Sequence, residues 1–248
     1  MHWQEYDCFG LILIGDEILF GQRQDSHLNH FRELLGASGR HLVRCWLLPD
    51  EASILTEHLL FSMKSGLPVF VCGGIGATPD DLTRQCAAKA ANRPLTRHPQ
   101  AATLIEERFG EAAYPTRIRM ADLPQGCELI PNPHNQIPGF TIERHHFLPG
   151  FPEMAWPMAA WVLERLYPPG NRPILEGSLL VTETPESVLV PLMEDFAGRF
   201  PGLKLYSLPQ LGTKPSIELG LRGRGDIDQA LDALALTLEQ AGIPHRRA

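Results

Sequence analysis

The chain lacks the features that mark membrane and secreted proteins. No apolar run in its 248 residues approaches the ~18–20 residues that a membrane-spanning helix needs. The first apolar run, Cys8–Ile14, follows acidic rather than basic residues, unlike a signal peptide. The five cysteines are scattered and form no CxxC pair, which suits a reducing compartment. We therefore expect a cytoplasmic protein with no membrane partner.

Positive charge is also scarce. The 22 Lys and Arg residues are outnumbered by 29 Asp and Glu, so the formal net charge is −7. Because no basic stripe interrupts this balance, we expect no nucleic-acid partner. Hydrophobic residues make up 44% and charged residues 21% of the chain, which is enough apolar material for an ordinary globular core.

Short apolar runs alternate with helical patterns in the first part of the chain. Strands are predicted at Cys8–Ile14, His41–Leu48 and Pro68–Cys72, the first apolar throughout, as in a strand buried on both faces. A helical pattern follows each, and the third is predicted to run from Thr78 to about Asn92. Such alternation with short links predicts right-handed crossovers and a mostly parallel sheet.

The remainder of the chain predicts two further helices of the first domain, a linker and a second domain. Helices are expected at 98–110 and 152–167, with Pro157 delaying or kinking the second. Three prolines and a glycine at Pro168–Pro173 predict a linker. A β-α-β-β-α pattern follows it. We expect an α/β domain over residues 1–168 and a small α+β domain over residues 174–248.

The segment "VFVCGGIGATPDDLTR" raises the main functional question. Its simplest interpretation is a capped helix. Thr78 would cap the helix, Pro79 would occupy its first position, and Asp80 and Asp81 would lie in its first turn. Aspartates there complement the helix dipole by roughly 0.3–1 kcal/mol each.

A second interpretation of this segment is a ligand site. Backbone amides around Gly73, Gly74 and Gly76 would face an anion, usually a phosphate. Two adjacent carboxylates would repel a bare phosphate unless a divalent cation lay between them. Mg²⁺ is typically held by one or two carboxylates together with phosphate oxygens of the ligand. Glycines and acids together therefore predict a phosphate ligand with a metal.

More acidic residues follow the other two strands. Gly15, Asp16 and Glu17 follow the first strand, and Asp50 follows the second. Taken alone, each is most simply a capped turn or a helix cap. In a parallel sheet, however, ligands bind beyond the carboxyl ends of the strands, where all these residues would meet.

Six motifs occur in the order of a known family: "GDEILFG", "DSHLN", "LPDE", "GGIGATPDDLTR", "ADLPQGCELIPNPHNQIPGF" and "LPGFPEM". Over Phe9–Tyr167 the chain resembles the molybdopterin-binding domain of the molybdenum-cofactor biosynthesis type. It is most similar to the competence/damage-inducible protein A branch, whose small second domain the remaining residues resemble.

The resemblance implies a fold and a set of site residues. The fold is a three-layer α/β/α sandwich with a mostly parallel sheet, followed by the small α+β domain. The implied ligand-binding residues are Gly15, Asn29, Gly73, Gly74, Gly76, Thr78, Pro149 and Gly150. The implied metal ligands are Asp16, Glu17 and Asp81, and the implied catalytic residues are Asp50, Asp80 and Asp81, with the roles of the last two left open.

The chain departs from the family pattern in two ways. Asn135 stands where the family often has glycine, and asparagine tolerates the left-handed conformation that such a turn needs. Full-length members of the branch continue into a nicotinamide-mononucleotide deamidase domain. Because this chain ends at Ala248, we expect no deamidase activity from it.

Three functions are compatible with the resemblance. The first is a nucleotide pyrophosphohydrolase of the ADP-ribose or FAD class that releases AMP and depends on Mg²⁺, Mn²⁺ or Co²⁺. The second is binding or adenylylation of molybdopterin or another pterin phosphate. The third is a nucleotide-binding module without turnover. The resemblance also implies a homo-oligomer, either a dimer or a trimer.

Overall fold

The computed structural model describes residues 7–167, 174–200, 202–210 and 215–248. The chain divides into two compact units, Met1–Asn171 and Arg172–Ala248. The linker predicted at Pro168–Pro173 lies outside the described residues. Within the described ranges, no helix is both long enough and apolar enough to cross a membrane.

A six-stranded sheet forms the centre of the N-terminal unit. Its spatial order is β2 (His41–Leu48), β1 (Cys8–Ile14), β3 (Val69–Cys72), β8 (His145–Leu148), β7 (Gly139–Ile142) and β6 (Glu128–Ile130). The first four strands are parallel, whereas β7 and β6 are antiparallel to their neighbours. The predicted mostly parallel sheet is therefore confirmed.

Helices cover both faces of this sheet. They are α1 (Asp16–Leu19), α2 (His27–Ala37), α3 (Ala52–Lys64), α4 (Thr83–Ala90), α5 (Pro99–Phe109) and α6 (Pro152–Leu166). Short 3₁₀ turns lie at Gly110–Ala113 and Arg117–Ala121, and β4 (Leu95–Arg97) pairs with β5 (Asp122–Pro124) in a separate ribbon. Pro157 does not delay α6, which begins at Pro152 and contains Pro157.

The alternation of side chains along β1 separates two cores. Phe9, Leu11 and Leu13 pack with Phe31 of α2 on one face. Ile12 and Ile14 pack on the other face, against the helices α3, α4 and α5. Both faces of the strand are thus covered, as its continuous apolar run predicts, and the unit is a three-layer sandwich.

The sheet brings four strand ends to one rim. Ile14 pairs with Leu48, Leu13 with Cys72, and Cys72 with Leu148. The chain leaves β1 toward β2 on one side and later returns to β3 on the other. A sheet of this order binds ligands at the switch point between its first and third strands.

The C-terminal unit is a four-stranded antiparallel sheet with two helices. Its elements are β9 (Leu175–Thr182), α7 (Glu186–Phe196), β10 (Leu203–Gln210), β11 (Ser216–Gly223), α8 (Ile227–Gln240) and β12 (His245–Arg247). The spatial order is β10-β11-β9-β12. The βαββα pattern omits β12, because three polar, mostly exposed residues give no apolar signal.

Candidate functional site

A cavity of about 470 Å³ opens at the carboxyl ends of β1 and β3. It contains most of the residues that the sequence assigned to a site. These are Gly15, Glu17, Asp50, Gly73, Gly74, Gly76, Thr78, Asp80, Asp81, Pro149 and Gly150. Residues from four strand ends therefore meet in one concave space.

Two of the predicted site residues do not line this cavity. Asn29 is exposed on α2, and its assignment came from the resemblance alone. Asp16 contributes through its backbone, because its N–H donates to Asp50 Oδ2 at 3.1 Å. The cavity lining includes neither side chain.

The turn after β3 requires glycine at two positions. Gly73 has a φ of 111°, and a Cβ there would overlap the Ile14 carbonyl oxygen. Gly74 has a φ of 66°, and a Cβ there would overlap the Thr83 hydroxyl. Backbone of this kind is open to glycine and strained for other residues. The turn can thus approach both β1 and α4 closely.

Four successive amides of this turn point to an anion site. The N–H groups of Gly74, Ile75, Gly76 and Ala77 donate to no acceptor among the described residues. All four residues are half-buried and line the cavity. Buried amides normally have partners, and consecutive free amides in a turn form a concavity that binds anions.

The expected helix start at Thr78 is wrong. Helix α4 begins at Thr83, and Leu82 before it provides no side-chain cap. Asp81 instead accepts hydrogen bonds from both the N–H and the hydroxyl of Thr78, the first at 2.8 Å. This local closure competes with helix formation, so Asp80 and Asp81 lie before the helix rather than in its first turn.

Asp50 lies at the centre of the acidic residues. Burial raises the pKa of its carboxyl, and the neighbouring carboxylates of Asp16, Glu17 and Asp80 raise it further, against a lowering by the hydrogen bond from the Asp16 amide. Arg23 is the only cationic side chain among the described residues that line the cavity. The negative charge around Asp50 is therefore poorly compensated by the protein.

The opposite wall of the cavity is largely apolar. It is formed by Met120, Ile137, Pro138, Phe151 and Met154, with the amide side chains of Asn132 and Asn135 between them. The Arg23 guanidinium lies 5.5 Å from the centre of the Phe151 ring. The cavity thus has a charged end near the glycine turn and an apolar end whose side chains can pack against a ring.

Residues 10–168, most of the N-terminal unit, match a family described as "probable molybdopterin binding domain". The chain belongs to this family. The resemblance inferred from the six motifs is therefore confirmed. A CinA-like protein of Geobacter sp. (strain M21) is 33% identical, with 96% of this chain and 57% of that protein covered.

Two further proteins are similar to this chain in sequence or in fold. A protein of Caldivirga maquilingensis is 29% identical, with 88% of this chain and 89% of that protein covered. The crystal structure of the CinA protein of Thermoplasma acidophilum superposes with a TM-score of 0.59 at 24% identity, covering 64% of this chain and 98% of that one, and shows the shared fold. The chain spans about half the length of the CinA-like relatives it matches.

Sequence reasoning missed the residues that hold the glycine turn of this molybdopterin-binding domain in place. Thr83 is buried and donates its hydroxyl to the Gly73 carbonyl at 3.0 Å. Arg84 is also buried, and its guanidinium donates to Gly76 O at 2.8 Å and to Asp122 O at 3.1 Å. The available signal was that both residues end the motif "GGIGATPDDLTR", but only the fold reveals their partners.

A contact centred on His27 supports the Pro149–Gly150 loop. Trp156 Nε1 donates to His27 Nδ1 at 3.3 Å, so His27 is protonated on Nε2 and donates to Gly150 O at 3.1 Å. Gly150 in turn approaches Gly73 so closely that an added Cβ would lie 3.4 Å from the Gly73 Cα. The "DSHLN" motif therefore acts on the cavity through His27 rather than through Asn29.

Other reactive side chains in the unit have structural roles. His145 bonds Ser62, and His146 bonds Thr141 and Tyr167. Both lie deep in the core, on opposite faces of β8. Cys72, just before the glycine turn, is fully enclosed, and burial raises the pKa of its thiol far above the ordinary value. Such a thiol stays protonated and is not a nucleophile.

A divalent cation fits the charged end of the cavity only if a bound ligand supplies part of its coordination. Within the described ranges, no three His, Cys, Asp or Glu side chains are grouped to enclose a metal ion. Glu17, Asp50 and Asp80 nevertheless line the cavity beside the free amides. One or two carboxylates completed by phosphate oxygens of a ligand is the usual Mg²⁺ arrangement, and this chain offers that arrangement.

Proposed function

We propose that the chain hydrolyses the phosphoanhydride bond of a nucleotide diphosphate derivative of the ADP-ribose or FAD class, releasing AMP. One observation carries the proposal: four amides without a partner among the described residues and four carboxylates, those of Glu17, Asp50, Asp80 and Asp81, line the same cavity. The amides favour a phosphate ligand. The carboxylates supply the two functions that hydrolysis needs in addition, which are holding a divalent cation and accepting a proton from water.

The charged residues divide into binding and chemical roles. The amides of Gly74 to Ala77 hold phosphate oxygens, and Arg23 adds a positive charge from the other side. Asp50 and Glu17 would hold the divalent cation, which polarises the phosphoryl group and acidifies a bound water. Asp81 is occupied with Thr78, so its part is to order the turn.

Asp80 is assigned the proton transfer. It is exposed and lines the cavity beside the amide cradle. Its carboxylate accepts a proton from the attacking water as the water oxygen bonds to phosphorus. The bond from that phosphorus to the anhydride oxygen breaks, and the second phosphate leaves. General-base catalysis of this kind typically contributes about 10²–10⁴-fold in rate.

The test is AMP release from ADP-ribose, FAD or NAD in the presence of Mg²⁺, Mn²⁺ or Co²⁺, followed by chromatography. We expect AMP with metal, and its loss in Asp80→Asn. Asp81→Asn serves as the matched control, since it removes an adjacent charge but keeps an oxygen for Thr78, and we expect a smaller loss. Absence of AMP from all three substrates with folded protein would rule the proposal out.

Pterin-phosphate binding or adenylylation is the second candidate. It is favoured by the apolar lining residues and the two asparagine side chains among them, which suit a pterin ring as well as a purine. The same assay distinguishes the two, because a pterin-phosphate binder would release no AMP from ADP-ribose.

A further inference from the structure

Phe151 is an aromatic residue that the hydrophobic cores of the N-terminal unit do not use. It lines the cavity at the start of α6, and 51% of its surface is exposed. Among the described residues, it belongs to neither of the two cores around the sheet. It is the N-cap residue of α6, where Ser, Asp or Asn is usually preferred, and its side chain makes no cap. Its ring is therefore accessible from the cavity and is not needed to build the helix.

The guanidinium of Arg23 lies over this ring. Its carbon is 5.5 Å from the ring centre, and Arg23 is exposed and lines the same cavity. Within the described ranges Arg23 forms no ion pair, although Glu17 and Asp50 line the cavity as well. A guanidinium is planar, weakly hydrated and always charged, so it can stack on rings with its face while its edges donate hydrogen bonds.

The apolar residues beside Phe151 are held in place by hydrogen bonds. The Met154 amide donates to Phe151 O at 3.0 Å, and Met154 Sδ accepts from Asn135 Nδ2 at 3.1 Å. Asn135 Oδ1 accepts from the Ile137 amide at 3.0 Å. The left-handed residue of this loop is Gln136, with a φ of 67°, and not Asn135 as expected. The surroundings of the Phe151 ring are thus formed before a ligand binds, as is usual for small-molecule sites.

The chemistry of this end of the cavity favours a planar aromatic ring. Stacking on an aromatic side chain or on a guanidinium requires a π face, which every nucleobase has and a sugar or phosphate lacks. Phe151 directly follows Gly150, and a Cβ added to Gly150 would lie 3.4 Å from the Cα of Gly73 in the glycine turn. A ring on Phe151 and a phosphate at the glycine turn can therefore belong to one ligand.

We propose that Phe151 and Arg23 together stack against the aromatic ring of the ligand and select ring-bearing phosphates over sugar phosphates. The inference rests on the phosphate site of the proposed function but not on hydrolysis. Adenine and a pterin share the required chemistry. Phe151 is thus a specificity-determining residue, and Arg23 stacks with its face while its edges reach the phosphate.

Ligands with and without a ring test the proposal on the native protein. Calorimetry on the full chain with Mg²⁺ would measure the affinity of AMP, neopterin monophosphate and ribose 5-phosphate, none of which contains a phosphoanhydride bond. We expect at least one ring-bearing ligand to bind about tenfold more tightly than ribose 5-phosphate, and the preferred one identifies the ring. Equal affinity for all three would overturn this proposal alone, whether or not ADP-ribose is hydrolysed. No binding of any of them would overturn the phosphate site as well.

Phe151→Leu and Phe61→Leu form a matched pair. Phe61 is 57% exposed on α3 and does not line the cavity. Leucine keeps most of the apolar area but has no π face, so Phe151→Leu should weaken the preferred ring-bearing ligand about tenfold and leave ribose 5-phosphate unchanged. Phe61→Leu should change neither affinity. An intact ring preference in Phe151→Leu, or an equal loss in both variants, would contradict the assignment.

Arg23→Lys tests the second member of the pair. Lysine keeps the positive charge but lacks the planar group. We expect the affinity for ribose 5-phosphate to stay within about twofold, and the preference for the ring to fall by at least about threefold. A variant that loses affinity for all ligands by the same factor would show that Arg23 contacts the phosphate only, and would overturn its part in stacking.

Phe151→Ser separates a binding role from a structural one. Serine is among the preferred N-cap residues, so the urea midpoint of the variant should be unchanged or higher than that of the native protein. Its preference for the ring should nevertheless be lost. A lower urea midpoint together with an intact ring preference would show that Phe151 serves the fold and not the ligand.

Discussion

The two units of the chain treat polar groups in opposite ways. Among the described residues, every fully buried polar or charged side chain lies in the N-terminal unit: His27, Arg40, Ser62, Thr83, Arg84, Asn132, His145 and His146. The core of the C-terminal unit is built from apolar side chains. Burying polar groups costs stability unless each finds a partner. The N-terminal unit accepts that cost, both beside its cavity and in its core, and the C-terminal unit avoids it.

The same contrast is visible in two turns of similar composition. Each unit has a glycine-rich, acidic turn between a strand and a helix. In "RGRGD", Asp226 caps α8 by accepting from the Gln229 amide at 3.0 Å. In "GGIGATPDD", Asp81 closes on Thr78 and leaves α4 uncapped. The two turns are similar in composition. They differ in the hydrogen-bond partner of the carboxylate, which is a helix amide for Asp226 and Thr78 for Asp81.

The largest expected difference between the two units is in how much stability each loses at acid pH. Burial lowers the pKa of His145 to about 4 and that of His146 to about 3, from an ordinary 6.5. The unfolded chain therefore binds protons that the folded unit does not, and stability is lost as pH falls from 6.5 toward 4 and 3. At pH 5 each histidine should cost about 2 kcal/mol, so about 4 kcal/mol together.

Tryptophan fluorescence during urea unfolding at pH 7.5 and pH 5 would measure this loss. All four tryptophans precede residue 162, so the signal reports the N-terminal unit. His146→Gln should reduce the pH dependence by about half, whatever its effect at pH 7.5. Amide hydrogen exchange would follow the C-terminal unit, which contains no tryptophan, and an equal loss of stability there between the two pH values would break the comparison.

The next largest expected difference is in the rate of AMP release when one carboxylate is removed from each unit. Asp50→Asn should lower AMP release by about 100-fold, or about 3 kcal/mol of barrier, because it removes the central carboxylate of the charged end. Its stability toward urea should be unchanged or raised, because the fold disfavours the ionised carboxyl. Asp226→Asn should leave AMP release unchanged. A loss of activity in Asp226→Asn would place part of the chemistry outside the cavity.

Glycine substitutions test how tightly the two turns are built. Gly74→Ala places a methyl group against the Thr83 hydroxyl at a φ of 66° and should cost about 2–3 kcal/mol. Gly225→Ala places one 3.1 Å from the flexible Leu203 side chain and should cost less than about 1 kcal/mol. Urea midpoints from fluorescence and circular dichroism give both values. Equal costs would mean that the cavity turn is no more constrained than the other.

The residues that meet at the rim of the sheet could be predicted from the sequence, but the hydrogen bonds that they make there could not. Apolar runs of strand length followed by glycines and acids place Gly15, Asp50 and Gly73 at one edge once the sheet is parallel, and this follows from the pattern alone. The helix start at Thr78 was wrong because a Thr-Pro-Asp-Asp segment satisfies the capping pattern and the local Thr78–Asp81 closure equally well.

The far wall of the cavity was beyond sequence reasoning for a different reason. Asn132, Phe151 and Met154 come from a loop and a helix that are distant along the chain and meet only in the folded unit. Asn132 Nδ2 has no partner among the described residues, and an absent hydrogen bond leaves no local pattern in the sequence. Arg84 illustrates the converse, since its carbonyl partners at Gly76, Arg119 and Asp122 are supplied by tertiary packing.

The smallest predicted effect concerns the helix ends themselves. Asp226→Ala should cost about 1 kcal/mol, because an N-cap carboxylate is lost, and amide exchange at Gln229 should accelerate about fivefold. Asp81→Ala should leave the first turn of α4 unchanged, since the helix begins at Thr83 without a side-chain cap. Hydrogen exchange resolved by residue would measure both turns. If Asp81→Ala frayed α4 as much as Asp226→Ala frays α8, Asp81 would be a helix cap after all, and the two turns would no longer differ in kind.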